Sequence, residues 1–245
     1  MAKRPFLALV QTDRDAAEPN AGAARTLIER AYSHLRDDIV EGVLAPGEKL
    51  RVEHLKTRYA VGAGTLREAI TRLVSDALVV AEGQRGFRVA EIAIDDLLDL
   101  TELRVHIEID ALRRSIRAGD DAWRARLQRA YVELSAHEQP VQPERRKHWE
   151  RLNTGFHEAL VAGHESPWTL RMLRMLARQG ERYRKYSIGL PDSGRDVHAE
   201  HRQLFELAML GNEARAALAL EAHIRATPEL LIRALRDGHR LFEPR

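Results

Sequence analysis

Three histidines, each beside an apolar stripe, are the residues of this sequence best placed to do chemistry. NTGFHEAL (residues 153 to 160) sets Asn153 and His157 four apart, hence on one helical face. HAEHRQLFELAML carries His198 and His201 ahead of Leu204, Leu207 and Ala208; EAHIRA carries His223 near Leu220, Ile224 and Thr227. Taken singly, each is most simply a hydrogen-bonded or solvent-facing histidine. Three on three helices of one bundle point instead to a shared metal site, because imidazole nitrogen suits zinc, nickel, copper and iron. Asn153 offers a neutral amide oxygen, a poorer donor than a carboxylate, so the expected site binds its metal more weakly than an aspartate would. His198 and His201, three apart, are both candidates from that helix. The expected cofactor is a divalent ion, zinc first, with nickel or manganese as alternatives. The chain has no cysteine, which excludes thiolate ligation and disulfides.

Other chemistries find less support. HEALVAGH opens like a zinc-protease helix, but the second histidine would have to stand at Val161. Neither a glycine-rich phosphate loop nor a GxSxG elbow occurs. A metal-dependent enzyme in the bundle stays open as an alternative, with Glu158 the obvious neighbouring base, and a helical adaptor with a vestigial site is a third reading. Arg104, in TELRVHIEI, lies among Leu100, Leu103 and Ile107. It either pairs with Glu108 at i+4 or clamps a carboxylate through its planar guanidinium, and spacing alone does not choose.

These residues need a scaffold, and the hydrophobic periodicity supplies one. From Ile94 onward the pattern is helical, with candidate helices at about 94 to 118, 120 to 138, 144 to 163, 167 to 188, 195 to 210 and 213 to 236. Breaks fall at Gly119, Gln139 to Pro143, Gly163 to Pro167, Gly189 to Gly194 and Gly211. Six antiparallel helices make a bundle, whose interior can assemble a site from facing side chains.

The N-terminal part reads differently. Leu27, Ile28, Ala31, Leu35, Ile39 and Val40 recur at helical spacing up to Gly42. APGEKL is a turn and a short extended piece, VEHLKTRYA a short helix, and TLREAITRLVSDAL a third helix with Leu66, Ile70, Leu73 and Val74 on one face. ALVVAEGQRGFRVAEI reads as two short strands around a turn. Helix, helix, turn, helix and hairpin is the winged helix-turn-helix plan, whose third helix enters a major groove. A small α+β domain without a DNA role is the plainer alternative.

Composition fits a two-domain globular chain. Its 245 residues are 44% hydrophobic and 31% charged, and no apolar run is long enough to span a bilayer. The basic start MAKRPFLALVQTDRD lacks a cleavage site, so a cytoplasmic tail is expected. A net charge of +2 argues for nothing by itself. Its distribution does: between residues 49 and 72, Lys49, Arg51, Lys56, Arg58, Arg67 and Arg72 face only Glu53 and Glu68. The expected divisions are a flexible tail over 1–24, a winged helix-turn-helix domain over 25–92, a helical metal and effector domain over 93–237, and a tail over 238–245.

LRDDIVEGVLAPGEKL, LREAI, the wing EGQRGFRVA and LTELRVHIE resemble the GntR family of bacterial transcription regulators. The bundle resembles the FCD ligand-binding domain of the FadR-type branch, and GVLAPGEKLRVEHLK and LVVAEGQRGFRVA resemble its carbon-starvation-induced repressor group. The resemblance implies a cytoplasmic homodimeric repressor that binds operator DNA and responds to a small carboxylate. It carries a metal site onto Asn153, where aspartate is usual, and onto His157, His201 and His223. It makes Arg104 the effector-binding arginine and suggests a dicarboxylate such as glutarate. For DNA it implies roles for Arg51, Arg58, Gly64, Thr65, Arg67, Arg72, Arg85 and Gly86, with Ala63 where an arginine is common. Phosphate contacts then fall to Lys49, Arg51, Lys56, Arg58 and Arg72, and base reading to Arg67.

Overall fold

Ala31, Leu35 and Ile39, four apart, lay one buried stripe along α1 (Ala21–Val40), which packs against the third helix of its domain. The computed structural model describes residues 21–138, 145–188, 190 and 195–239; the rest of both expected tails and the expected breaks near 140 and 191 lie outside the described residues. α1 begins at Ala21, ahead of the expected start at Leu27, in an alanine-rich stretch of high helix propensity. α2 (Val52–Tyr59) ends at Ala60, whose φ of 52° turns the chain, and α3 (Ala63–Ser75) starts after the extended Gly62. Gly64 therefore sits inside the first turn of α3. Leu66, Ala69, Ile70 and Leu73 are buried, leaving Gly64, Arg67, Glu68, Thr71 and Ser75 on the exposed face.

The strands form an antiparallel sheet in which β3 (Phe87–Val89) lies between β1 (Lys49–Leu50) and β2 (Val79–Ala81). Sequence pattern gives the β2–β3 hairpin; β1 is the extended piece in GEKL, too short at two residues to show alternation. Its register sets Lys49 opposite Arg88 and Leu50 opposite Phe87. At the wing tip the Glu82 N–H donates to the Gly86 carbonyl at 2.8 Å, and Gly86 has a φ of 94°, a conformation that excludes most side chains.

The bundle comprises α4 (Ile94–Ala118), α5 (Asp121–Ser135), α6 (Arg146–Val161), α7 (Pro167–Ile188), α8 (Val197–Met209) and α9 (Glu213–Arg236). Asp120, Asp196 and Asn212 cap α5, α8 and α9 by accepting backbone N–H bonds. Leu112, Trp123, Leu127, Phe156, Leu160, Leu204 and Leu220 fill its core. A separate core under the sheet gathers Leu35, Leu66, Ile70, Leu73, Leu78 and Val89.

α7 joins the two. Arg178 donates to the Asp76 carboxylate at 2.6 Å, Gln179 to the Asp76 carbonyl at 2.5 Å, and Arg182 to the Ala90 carbonyl at 2.5 Å. Arg36 of α1 pairs with Glu181, and Arg146 with Glu41. A seam of Leu97, Tyr183 and Leu231 lies beneath these contacts.

Candidate metal and effector site

His157 on α6, His201 on α8 and His223 on α9 come together, with one nitrogen from each within 4.8 Å of the others. Their ring centroids are 5.4 Å (157 to 201), 5.0 Å (157 to 223) and 4.8 Å (201 to 223) apart. The helices that carry them are anchored in the core beside each ring, at Phe156, Leu204 and Ile224, all buried. Phe156 packs edge-on against both His157 and His201.

Hydrogen bonding decides which nitrogens face inward. His201 is fully buried, with Nδ1 2.6 Å from Glu138 Oε1, while its Nε2 has no partner among the described residues. His223 Nδ1 lies 2.7 Å from Glu200 Oε2, and Arg195 forks Glu200 with contacts of 2.9 and 2.8 Å. A carboxylate on Nδ1 orients an imidazole for metal ligation through Nε2. Burial, and then the neighbouring histidines, hold His157 and His223 well below the ordinary imidazole pKa of 6.5. Both are neutral near pH 7, with a lone pair to donate. A buried polar nitrogen left unsatisfied costs about 1–3 kcal/mol, which coordination would remove. The donor set thus fits a divalent cation. His198 does not enter the cluster; its Nδ1 lies 3.3 Å from the far oxygen of Glu138.

Asn153 is buried one turn before His157, and both line two adjoining chambers of about 30 and 110 Å³. Arg104 and Arg184 line both as well. Arg104 Nε donates to Glu108 at 2.7 Å, the i+4 pair of the sequence reading, while its side chain also lines both chambers. Arg104 makes no other hydrogen bond among the described residues, which leaves its terminal nitrogens for a ligand. Arg184, from α7, pairs with Glu150 at 3.0 Å. A Cβ on Gly180 would lie 3.1 Å from Nη1 of both arginines, so this glycine admits two guanidinium groups side by side against α7. Glu158, the base of the enzyme alternative, is bound by Arg174 through two contacts of 2.9 Å and is not free.

The DNA candidates separate into free and engaged groups. Arg51, Arg67, Arg85 and Gly64 are exposed, whereas Thr65 and Gly86 are half-buried. Arg58 pairs with Asp38 at 2.8 Å, and Arg72 with Glu29 at 3.0 Å. Sequence reasoning passed over Glu138, Glu200, Arg184 and Arg195. Glu200 adjoins His201 and could have been flagged; the others carry no local signal.

The family description "Bacterial regulatory proteins, gntR family" matches residues 27–89, and "FCD domain" matches residues 99–226. The chain belongs to the GntR family, in its FCD branch. It is 39% identical over 216 residues to the "Uncharacterized HTH-type transcriptional regulator BphR" of Paraburkholderia xenovorans, across 87% of this chain and 88% of that one. It is 32% identical over 213 residues to the "HTH-type transcriptional repressor GlaR" of Escherichia coli, across 85% and 96%. Among solved structures, E. coli McbR/YncC superposes with a TM-score of 0.68 at 20% identity, covering 85% of this chain and 98% of that one, which shows the shared fold. This GntR-family chain is a DNA-binding transcription regulator and not an enzyme. Its mainly helical fold, a winged helix-turn-helix followed by an FCD bundle, agrees with the sequence reading. Among the described residues no helix is long and apolar enough to cross a membrane.

Proposed function

We propose that this regulator is a cytoplasmic, homodimeric repressor whose bundle holds a divalent metal, zinc first, through His157, His201, His223 and Asn153. A small carboxylate effector binds beside the metal and is clamped by Arg104. The observation that carries this reading is the inward His201 Nε2, buried and without a partner, in a cluster of three histidines. The bound metal would supply a positive charge that attracts the carboxylate and an open position for one of its oxygens. Arg104 would orient the acid with its terminal nitrogens. The 110 Å³ chamber would take a small acid, with a dicarboxylate such as glutarate as the candidate.

On the DNA side, Arg67 on the exposed face of α3 is the candidate for a base edge, with Gly64 and Thr65 at the close approach of the helix start. Arg51, Arg58 and Arg72 would neutralise phosphates, and Arg85 and Gly86 would place the wing. Two copies would meet two half-sites of a pseudo-palindrome. α7 supports the coupling between sites: Arg184 on it lines the effector chamber, and Arg178 and Gln179 on it hold Asp76, the residue that ends α3. An effector can change operator affinity only by binding two conformations of the protein unequally, and this contact is one place where they can differ.

The experiment is operator binding by the purified protein, using the region upstream of its own coding sequence, with and without zinc and a panel of small mono- and dicarboxylates. An acid-dependent change in affinity that vanishes in Arg104→Ala, with metal content unchanged, is the expected result. No acid-dependent change with any member of the panel would remove the effector reading.

A further inference from the structure

We infer that Glu138 is the anion that completes the metal centre from outside its ligands, a positioning residue that acts through His201. The inference rests on the metal reading above and concerns which side chains answer the metal's charge. The four direct donors, three imidazoles and one amide, are all neutral. A divalent ion bound by them alone would bring its full charge into the bundle interior, where unanswered charge is expensive.

Two carboxylates stand one bond further out, each on Nδ1 of a different histidine: Glu138 on His201 and Glu200 on His223. Their surroundings differ. Glu200 is 27% exposed and forked by Arg195, so its charge is already answered. The Glu138 side chain is 1% exposed, and its partners among the described residues are His201, His198 and the Trp149 indole. No lysine or arginine pairs with it among those residues. A buried carboxylate of this kind needs a cation, and a divalent ion on the far nitrogen of His201 supplies one.

The local geometry fits that role. The Trp149 indole can only donate, and it donates to Glu138 Oε1 at 3.2 Å, which fixes the oxygen that also faces His201. Glu138 then accepts the His201 Nδ1 proton, leaving a lone pair on Nε2. That is the same Nε2 that is buried without a partner. Glu138 lies just beyond α5, whereas the direct donors come from α6, α8 and α9, so this charge is delivered by a separate element.

The test compares zinc affinity of the full-length protein with Glu138→Gln and Glu200→Gln, measured by competition with a chromophoric chelator. Glu138→Gln should weaken zinc binding about 10- to 100-fold, and Glu200→Gln clearly less. The melting temperature of metal-free Glu138→Gln should stay level or rise, because the variant removes a buried charge; a merely structural role would lower it. If Glu138→Gln fails to fold, Glu138→Asp keeps the charge while retracting it from His201, and should also weaken binding. Zinc affinity of Glu138→Gln within twofold of wild type, or an equal or larger loss in Glu200→Gln, overturns the inference. Wild-type protein that binds no zinc would instead overturn the metal reading on which it rests.

Discussion

Arg178 on α7 meets the Asp76 carboxylate at 2.6 Å, at the residue that terminates α3. Tyr32 of α1 donates to the other oxygen of Asp76 at 2.5 Å. Burial and this bond push the Tyr32 hydroxyl pKa up to about 12, so it stays a donor throughout the physiological range. One carboxylate thus ties the end of α3 both to its own domain and to the bundle. Arg178→Ala should cut the effector-dependent change in operator affinity about fivefold or more, within the range of ordinary allosteric coupling. Fluorescence anisotropy with and without effector reads that ratio. An unchanged ratio means that coupling takes another route.

Arg67 projects from the exposed face of α3 and forms no ion pair among the described residues, unlike Arg58 and Arg72. Arg67→Ala should weaken specific operator binding by about 1–3 kcal/mol and relax preference at one base pair, as expected for a lost guanidinium–guanine contact. Arg72→Ala should weaken binding to all sequences alike and reduce its salt dependence. Binding-site selection with each variant separates these outcomes, and an Arg67→Ala protein with wild-type preference would assign base reading elsewhere.

Much of this arrangement is legible in sequence because it is periodic. The spacing of Leu100, Leu103 and Ile107 defines a helix, and it runs Ile94–Ala118 as expected. The three histidines stand out because each interrupts or borders such a stripe. What escapes is long-range and aperiodic. β1 is the short extended piece read in GEKL, but at two residues it carries no alternation that foretells its pairing with β3. Glu138 follows the last turn of α5, and nothing nearby announces that it will lie against His201, 63 positions away. The α7 contacts depend on how two domains dock, which no pattern within α7 encodes.

Glu181 illustrates a contact whose charge balance opposes its geometry. It pairs with Arg36 at 2.5 Å, yet burial, reinforced by Glu150, outweighs that attraction and raises its pKa above the usual carboxylate value of 4.5. A raised native pKa means that the folded state binds more protons than the unfolded one above pH 4.5. The favourable contribution is therefore present at lower pH and lost as pH rises through the native value. Glu181→Gln removes this loss. Urea denaturation should show the variant gaining on wild type as pH rises above 4.5; a constant or reversed difference would show that the Arg36 pair governs the site.

Asn153 is the donor most open to chemical improvement. It is buried on α6 one turn before His157 and lines the same chambers, so an aspartate there would place a charged oxygen where the amide now stands. Asp and Asn are close in size, which keeps the packing intact while strengthening the donor. Asn153→Asp should tighten zinc binding by about tenfold or more, since an anionic oxygen answers a dication directly where a neutral amide cannot. It should also make the metal-free protein less stable, because that buried charge then has no metal to meet. Chelator competition gives the first quantity and thermal melting of the stripped protein gives the second. Equal zinc affinities would show that Asn153 lines the chamber without touching the metal.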